Sequence, residues 1–319
     1  MTVKGIEFAV ARNQPHPHEL TILQRFQQHG RGTIFQVRVL YHVALDYSSP
    51  MLLFNNDLLP AVTLPLPNRG LAFGDGFFET LIFTAGCLRL AADHLARMQQ
   101  AAAALYLILP QALATAEALE TTLARLAAAN NLPAARLRLQ LWRSGGGRYT
   151  PTTNTAEWLA TAEPFVADES VIKKAEFALE THSIYSPLSF CKGPQAWLYV
   201  RAAHERQRRG LDEIILCDAA GHVAEAGAAA IFWMKDNVLF TPSLASGCVA
   251  GVRRAQVLRA ARVVGVECRE DLFIKEQLLG ADAAFTVNVA AIRSINQLGQ
   301  TRFRQTDTPI FLAPGFAKK

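Results

Sequence analysis

The feature that most constrains this chain is a series of short apolar segments separated by tight-turn signals in its second half. Residues 213–217 are apolar after the leading Glu213, Asp218-Ala219-Ala220-Gly221 can turn, residues 222–235 return as strand, and Asp236-Asn237 turns the chain again into Val238-Leu239-Phe240. Asp, Asn and Gly suit such turns because they tolerate positive φ or bond their own backbone. Strands joined by turns this short pair antiparallel. Helical patterns flank the stretch. Residues 195–209 end in Arg206, Arg208 and Arg209 before Gly210, which complements the negative end of a helix dipole, and a second helix is expected from Gly251 through Arg262, with Gly265 as its stop. Hairpins mixed with helices predict an α/β fold of the α+β type, whose sheets are not purely parallel.

The first half carries the same mixture. Leu52-Leu53-Phe54 reads as a strand, Asn55-Asn56-Asp57 as a turn, and residues 72–83 as a strand interrupted by glycines. Asp93 is placed to cap a helix on which Leu95, Met98, Ala102 and Leu105 share a face, and a further helix is expected over residues 110–129. Residues 137–142 and 158–162 read as strands on either side of the turn Ser144-Gly145-Gly146-Gly147. The pattern lapses over residues 164–169, the expected linker between a small α/β domain, residues 51–163, and a large domain, residues 170–319. Residues 1–50 hold four of the eight histidines (His16, His18, His29, His42) without amphipathic period, and read as an N-terminal extension, a candidate for disorder.

Composition narrows the function classes. Cys87, Cys191, Cys217, Cys248 and Cys268 are scattered and odd in number, so neither a metal site nor a disulfide framework is expected, and a reducing cytoplasm fits. Lys4, Glu7 and Arg12 interrupt the first apolar stretch, which argues against a signal peptide, and no later run reaches membrane-spanning length. The formal charge of +5 is not gathered into a basic stripe with interleaved aromatics, so neither nucleic acid nor membrane is an expected partner. A small anionic molecule is.

Five segments then occur in order: Phe73-Gly74-Asp75-Gly76-Phe77-Phe78-Glu79-Thr80, His94-Leu95-Ala96-Arg97, Lys192, Glu225, and Gly251-Val252-Arg253-Arg254. In order and approximate spacing they resemble the class IV aminotransferases, over about residues 51–303. That family includes branched-chain aminotransferases, D-amino-acid aminotransferases and aminodeoxychorismate lyases. The resemblance implies a two-domain D-amino-acid aminotransferase-like fold, a homodimer, and pyridoxal 5'-phosphate bound between the domains.

The resemblance assigns Lys192 as the catalytic lysine that carries the cofactor through its amine. Leu188-Ser189-Phe190-Cys191 before it and Trp197-Leu198-Tyr199 after it offer little charge, as a lysine that must be neutral at working pH requires. Glu225 is implied beside the pyridine nitrogen, where a carboxylate favours the protonated ring. Gly251 and Val252, opening a helix, and Arg97 are implied at the phosphate, with Asn288 and Val289 as further contacts. Asp75 is read as a turn residue, and Asp75 with Glu79 as part of the active-site wall instead of an acid/base pair.

Within the family, three segments lean toward aminodeoxychorismate lyase, which makes 4-aminobenzoate for folate biosynthesis: Arg143-Ser144-Gly145-Gly146-Gly147-Arg148-Tyr149, residues 232–242, and Asn288. Arg143 and Arg148 are then the expected ligands of substrate carboxylates. Gln195, Tyr149 and Trp197 depart from the usual patterns, the first two from the lyases and Trp197 from the branched-chain enzymes. The alternatives are an aminotransferase acting on branched-chain or D-amino acids, and a catalytically silent binding protein built on the same fold.

Overall fold

The structure is a computed structural model that describes residues 50–193 and 196–304; the extension expected before Met51 lies outside the described residues, apart from Pro50, and so does Gln195. The described residues belong to one compact unit, residues 49–319. They build three sheets, mixed with helices as the hairpin pattern requires.

The first sheet comes entirely from the first half. Its strands lie in the order Asp57–Leu59, Leu52–Phe54, Ala156–Pro164, Ala134–Arg143, Gly76–Thr84 and Cys87–Leu88, all antiparallel. Helices Ala91–Ala104 and Ala116–Ala129 pack on it through Met98, Leu119, Leu123 and Leu126 against Leu53, Leu81, Leu137 and Leu139. Strand period 2 sends Phe77, Glu79 and Leu81 into this core and leaves Phe78 and Thr80 on the opposite face, where Thr80 is paired with Arg138. That opposite face becomes a wall of the site.

The second and third sheets come from residues 175–302. One has the order Cys268–Asp271, Val238–Pro242, Ala230–Lys235, Ala283–Val287, Ile292–Ile295, and the other Thr301–Arg302, Gln297–Leu298, Ala175–Phe177, Glu213–Cys217, Val223–Ala226. Each contains parallel and antiparallel neighbours. Trp233 stacks on Phe240 and meets Phe273 edge-on at 5.1 Å, which anchors the core between them.

Four elements differ from the sequence expectation. Residues 72 and 73 end a short helix, Arg69–Phe73, because Asn68 caps it by accepting from the Leu71 amide; the strand starts only at Gly76. Asp93 does not cap its helix, which begins at Ala91 after Leu90 in a left-handed conformation; Asp93 lies in the first turn and pairs with Arg259 at 2.7 Å. Residues 111–113 form a separate 3-10 turn, and Thr115 starts the helix that follows. The strand expected over residues 222–235 is two strands in two sheets. A tight turn at Gly227 and Ala228, with the Ala226 amide bonded to the Ala229 carbonyl at 2.8 Å, carries the chain from one to the other. That crossing brings Glu225 and the alanines after it to one cavity.

Candidate active site

Lys192 sits in a non-helical segment pinned from both sides. Its carbonyl accepts from the Phe78 amide at 2.9 Å, and the Phe190 carbonyl accepts from the Ala250 amide at 2.9 Å. Gly193 allows the approach: its φ is +146°, and a Cβ there would stand 2.9 Å from the Phe77 Cα. The lysine is thereby fixed between the outer face of strand Gly76–Thr84 and the start of helix Val252–Val263.

A cavity of about 470 Å³ opens at this point, within the range of small-molecule and cofactor pockets. Lys192, Arg97, Glu225, Gly251, Val252, Asn288 and Val289, all expected at a cofactor, line it together. Phe78, Thr80, His94, Arg138 and Tyr199 complete the part of the wall that matters chemically.

Lys192 keeps some surface open to the cavity, yet burial, aided by the Arg97 charge, pulls its amine down to about 8. A neutral fraction is therefore present near neutral pH. Glu225 is 4% exposed, and burial pushes its carboxyl up to about 7. Its oxygens accept from the Tyr199 hydroxyl at 2.7 Å and the Val249 amide at 3.2 Å. Tyr199 lies in the first turns of helix Ala196–Arg208, and burial beside Glu225 holds its phenol far above the usual range.

Across the cavity, Glu79 organises a buried cluster. It accepts from Arg97 Nε at 2.8 Å and Arg97 Nη2 at 2.5 Å, and meets His94 Nδ1 at 2.7 Å. Burial opposes its ionisation, but the Arg97 charge and the His94 contact outweigh that and hold the carboxyl well below the usual carboxylate range. Arg97 thus does not present an open fork, as its sequence context suggested. Three of its five N–H groups go to Glu79 and the Ala250 carbonyl, leaving two for a ligand. His94, fully buried in the same wall, has an Nε2 without a partner.

These observations fit a phosphate-bearing pyridine cofactor. The residual N–H groups of Arg97 and the helix start at Val252, which no side chain caps, offer donors to a phosphate, and the partnerless His94 Nε2 belongs to the same wall. Asn288 contributes differently from its expected role: its Oδ1 accepts from Ala290 and Ala291 and its Nδ2 donates to the Ala228 carbonyl, so the side chain holds the turn's shape. Glu225 lines the same cavity, and it and Arg97 both act electrostatically on Lys192.

Arg143 and Arg148 are not in the cavity wall. Arg143 is 5% exposed, and its fork is spent on both oxygens of Asp75, on Asn154 Oδ1 and on the carbonyls of Leu105 and Tyr106. Asp75, also bonded to Arg69, is an ion-pair clamp rather than a simple turn residue. Arg148 is exposed on the glycine-rich loop, where its carbonyl accepts from Arg69. The arginine that does reach the cavity from this sheet is Arg138. Its guanidinium lies 3.8 Å from the Phe78 ring centroid, and burial lowers its proton affinity. The alternation of Arg136 and Arg138 with Leu137 and Leu139 was the signal for it.

The Amino-transferase class IV family model matches residues 76–298, well over half of the chain. The chain therefore belongs to the class IV aminotransferase family, whose enzymes depend on pyridoxal 5'-phosphate. It is 35% identical over 104 residues to the branched-chain-amino-acid aminotransferase of Escherichia coli strain K12, covering 31% of this chain and about a third (34%) of that relative's length. It is 26% identical over 250 residues to the aminodeoxychorismate lyase of Vibrio harveyi, covering 72% and 85% of the two chains. Among solved structures, the 4-amino-4-deoxychorismate lyase of Pseudomonas aeruginosa superposes with a TM-score of 0.70 at 27% identity, covering 80% of this chain and 94% of that one. The branched-chain aminotransferase of the archaeon Thermoproteus uzoniensis, solved with norvaline, superposes with a TM-score of 0.72 at 23% identity, covering 80% and 89%. The fold is that of the class IV enzymes.

Proposed function

We propose that this chain is an aminodeoxychorismate lyase, releasing pyruvate and 4-aminobenzoate from 4-amino-4-deoxychorismate, a step of folate biosynthesis. The observation that carries the reading is Arg138 lying over the Phe78 ring at the cavity, a cation beside a flat apolar surface that suits a flat ring bearing carboxylates. Similarity to two lyases over most of their length supports it.

The residues divide the work. Arg97 and the helix start at Val252 hold the phosphate, and His94 braces the Glu79 carboxylate that orients Arg97. Glu225 keeps a proton at the ring nitrogen, and when bound the cofactor supplies an electron sink for charge left on the substrate. Lys192 Nζ, neutral in part, takes the ring proton of the substrate as general base and can return it. Arg138 orients a substrate carboxylate, and Phe78 keeps water from the ring face. A second reading, transamination of branched-chain amino acids, is favoured by the match to the Escherichia coli enzyme.

One incubation separates them. With 4-amino-4-deoxychorismate and no keto acid, a lyase forms 4-aminobenzoate and pyruvate over many turnovers. A transaminase stops after one turnover of its cofactor until an acceptor is added. Absence of 4-aminobenzoate, with leucine or isoleucine consumed once 2-oxoglutarate is present, would overturn the lyase reading.

A further inference from the structure

Glu225 carries a partner that the family resemblance did not supply. One oxygen faces the Val249 amide, a donor that cannot do anything else, and the other faces the Tyr199 hydroxyl at 2.7 Å. Strand Val223–Ala226 supplies the carboxylate, helix Ala196–Arg208 the phenol, and the segment before helix Val252–Val263 the amide. Three separate elements thus converge on one buried group.

The convergence has a chemical purpose. A carboxyl that is 4% exposed prefers its neutral form, and burial does push it up to about 7. A neutral carboxylic acid cannot favour a protonated pyridine nitrogen beside it. The groups that oppose neutralisation are few. Lys192 helps through its charge while its amine is free, but that charge no longer helps in the same way once the amine holds a cofactor. Cys248, also near Glu225, is a thiol held up at about 11 by burial and stays neutral. What remains in the loaded protein is the Val249 amide and the Tyr199 hydroxyl, held neutral by desolvation and the Glu225 charge and so able to donate.

We propose that Tyr199 is a positioning residue: its hydroxyl, donated to Glu225 Oε1, keeps that carboxylate anionic and oriented, so that the proton shared between Glu225 and the cofactor's ring nitrogen resides on the nitrogen. This rests on the reading that pyridoxal 5'-phosphate binds at Lys192 with its ring nitrogen toward Glu225, and adds to it the residue that sets the proton's position. Tyr199 acts through Glu225.

The test uses the holoenzyme reconstituted with pyridoxal 5'-phosphate labelled with nitrogen-15 in the ring, and reads the nitrogen chemical shift, which reports protonation directly. Glu225→Gln sets the unprotonated limit. In Tyr199→Phe, which removes one oxygen, the shift should move from the wild-type value toward that limit. Turnover should fall about tenfold or more, as expected for losing a hydrogen bond to a charged group. Cofactor stoichiometry and circular dichroism should match wild type, because the phosphate donors are untouched. An unchanged nitrogen shift in Tyr199→Phe, with Glu225→Gln displaced, would overturn the role of Tyr199 while leaving the cofactor site standing. Loss of fold or of cofactor in Tyr199→Phe would also overturn it, since the residue would then be packing. A wild-type protein that takes no cofactor onto Lys192 would remove both readings at once.

Discussion

Glu79→Gln is the substitution whose consequence follows most directly from the buried cluster. It conserves volume and removes the charge that faces Arg97 and His94. The three side chains are 1%, 5% and 0% exposed, so water cannot replace what is lost. Burial alone disfavours the guanidinium charge of Arg97, and the Glu79 carboxylate more than compensates, leaving that charge held more firmly than usual. Leaving one member of such a buried pair uncompensated costs about 3–5 kcal/mol. Set against a typical folding stability of about 5–15 kcal/mol, this is a large fraction. Urea denaturation of the cofactor-free protein, followed by circular dichroism, should show a correspondingly lower midpoint. Replacing both partners, Glu79→Gln with Arg97→Met, should cost less than the sum of the two single changes, because no unpaired ion remains. With pyridoxal 5'-phosphate bound, its phosphate supplies negative charge to Arg97, so the deficit of Glu79→Gln should narrow. The pH dependence has a fixed sign. The folded carboxyl lies well below its ordinary value of 4.5, so the stabilisation is complete above that value and is lost as the pH falls toward the folded value. A cost under about 1 kcal/mol in the cofactor-free protein, or strict additivity in the double variant, would refute the reasoning.

Lys192→Ala should leave folding intact, abolish turnover, and remove the label that borohydride reduction otherwise fixes at Lys192; a labelled peptide carrying another lysine would contradict the assignment. Gly193→Ala should lower cofactor occupancy, because its Cβ would stand 2.9 Å from the Phe77 Cα at a φ of +146°, and wild-type absorbance of the bound cofactor would show that the segment tolerates displacement. A protein starting at Met51 should bind cofactor and turn over like the full chain; insolubility would show that residues 1–50 contribute to the fold.

Much of the fold was legible where local chemistry decides the outcome. Residues 213–217 emerged as a strand with the expected bounds, Glu213–Cys217, because an apolar run between turn signals leaves little choice. Helix Val252–Val263 starts after Gly251, as the sequence led us to expect. The misses occur where a short-range signal competes with a longer pattern. Asn68 captures a backbone amide and turns residues 69–73 into a helix before the strand can begin. Residues 222–235 have unbroken strand character, and only the Ala226-to-Ala229 hydrogen bond, which closes a turn around Gly227, divides them between two sheets. A run of small residues gives no periodicity to reveal that.

The site was legible to the extent that its residues lie in contiguous motifs, and the arginines show where that ends. Arg143 and Arg148 drew attention because they flank three glycines, but proximity in sequence does not say where a fork points. Strand period does. Arg143 is at the end of strand Ala134–Arg143 beside the Asp75 clamp, whereas Arg138 is paired with Thr80 on the open face. The two arginines should therefore fail in opposite ways. Arg138→Ala removes a partly exposed cation over Phe78, so unfolding midpoints should stay near wild type while KM for a dicarboxylate substrate rises about tenfold to a hundredfold, the range for one hydrogen bond to a charged group. Arg143→Ala leaves the Asp75 carboxylate short of a partner and empties a buried site that also holds Asn154 and two carbonyls. It should lower stability by about 3 kcal/mol or more and reduce yield, while the protein that remains folded keeps a near-normal KM. Paired urea titrations and steady-state kinetics on the two variants decide the matter. A stable Arg143→Ala with a raised KM, beside an Arg138→Ala of unchanged KM, would return the carboxylate to the glycine-rich loop and remove the cation over Phe78 from the proposed function.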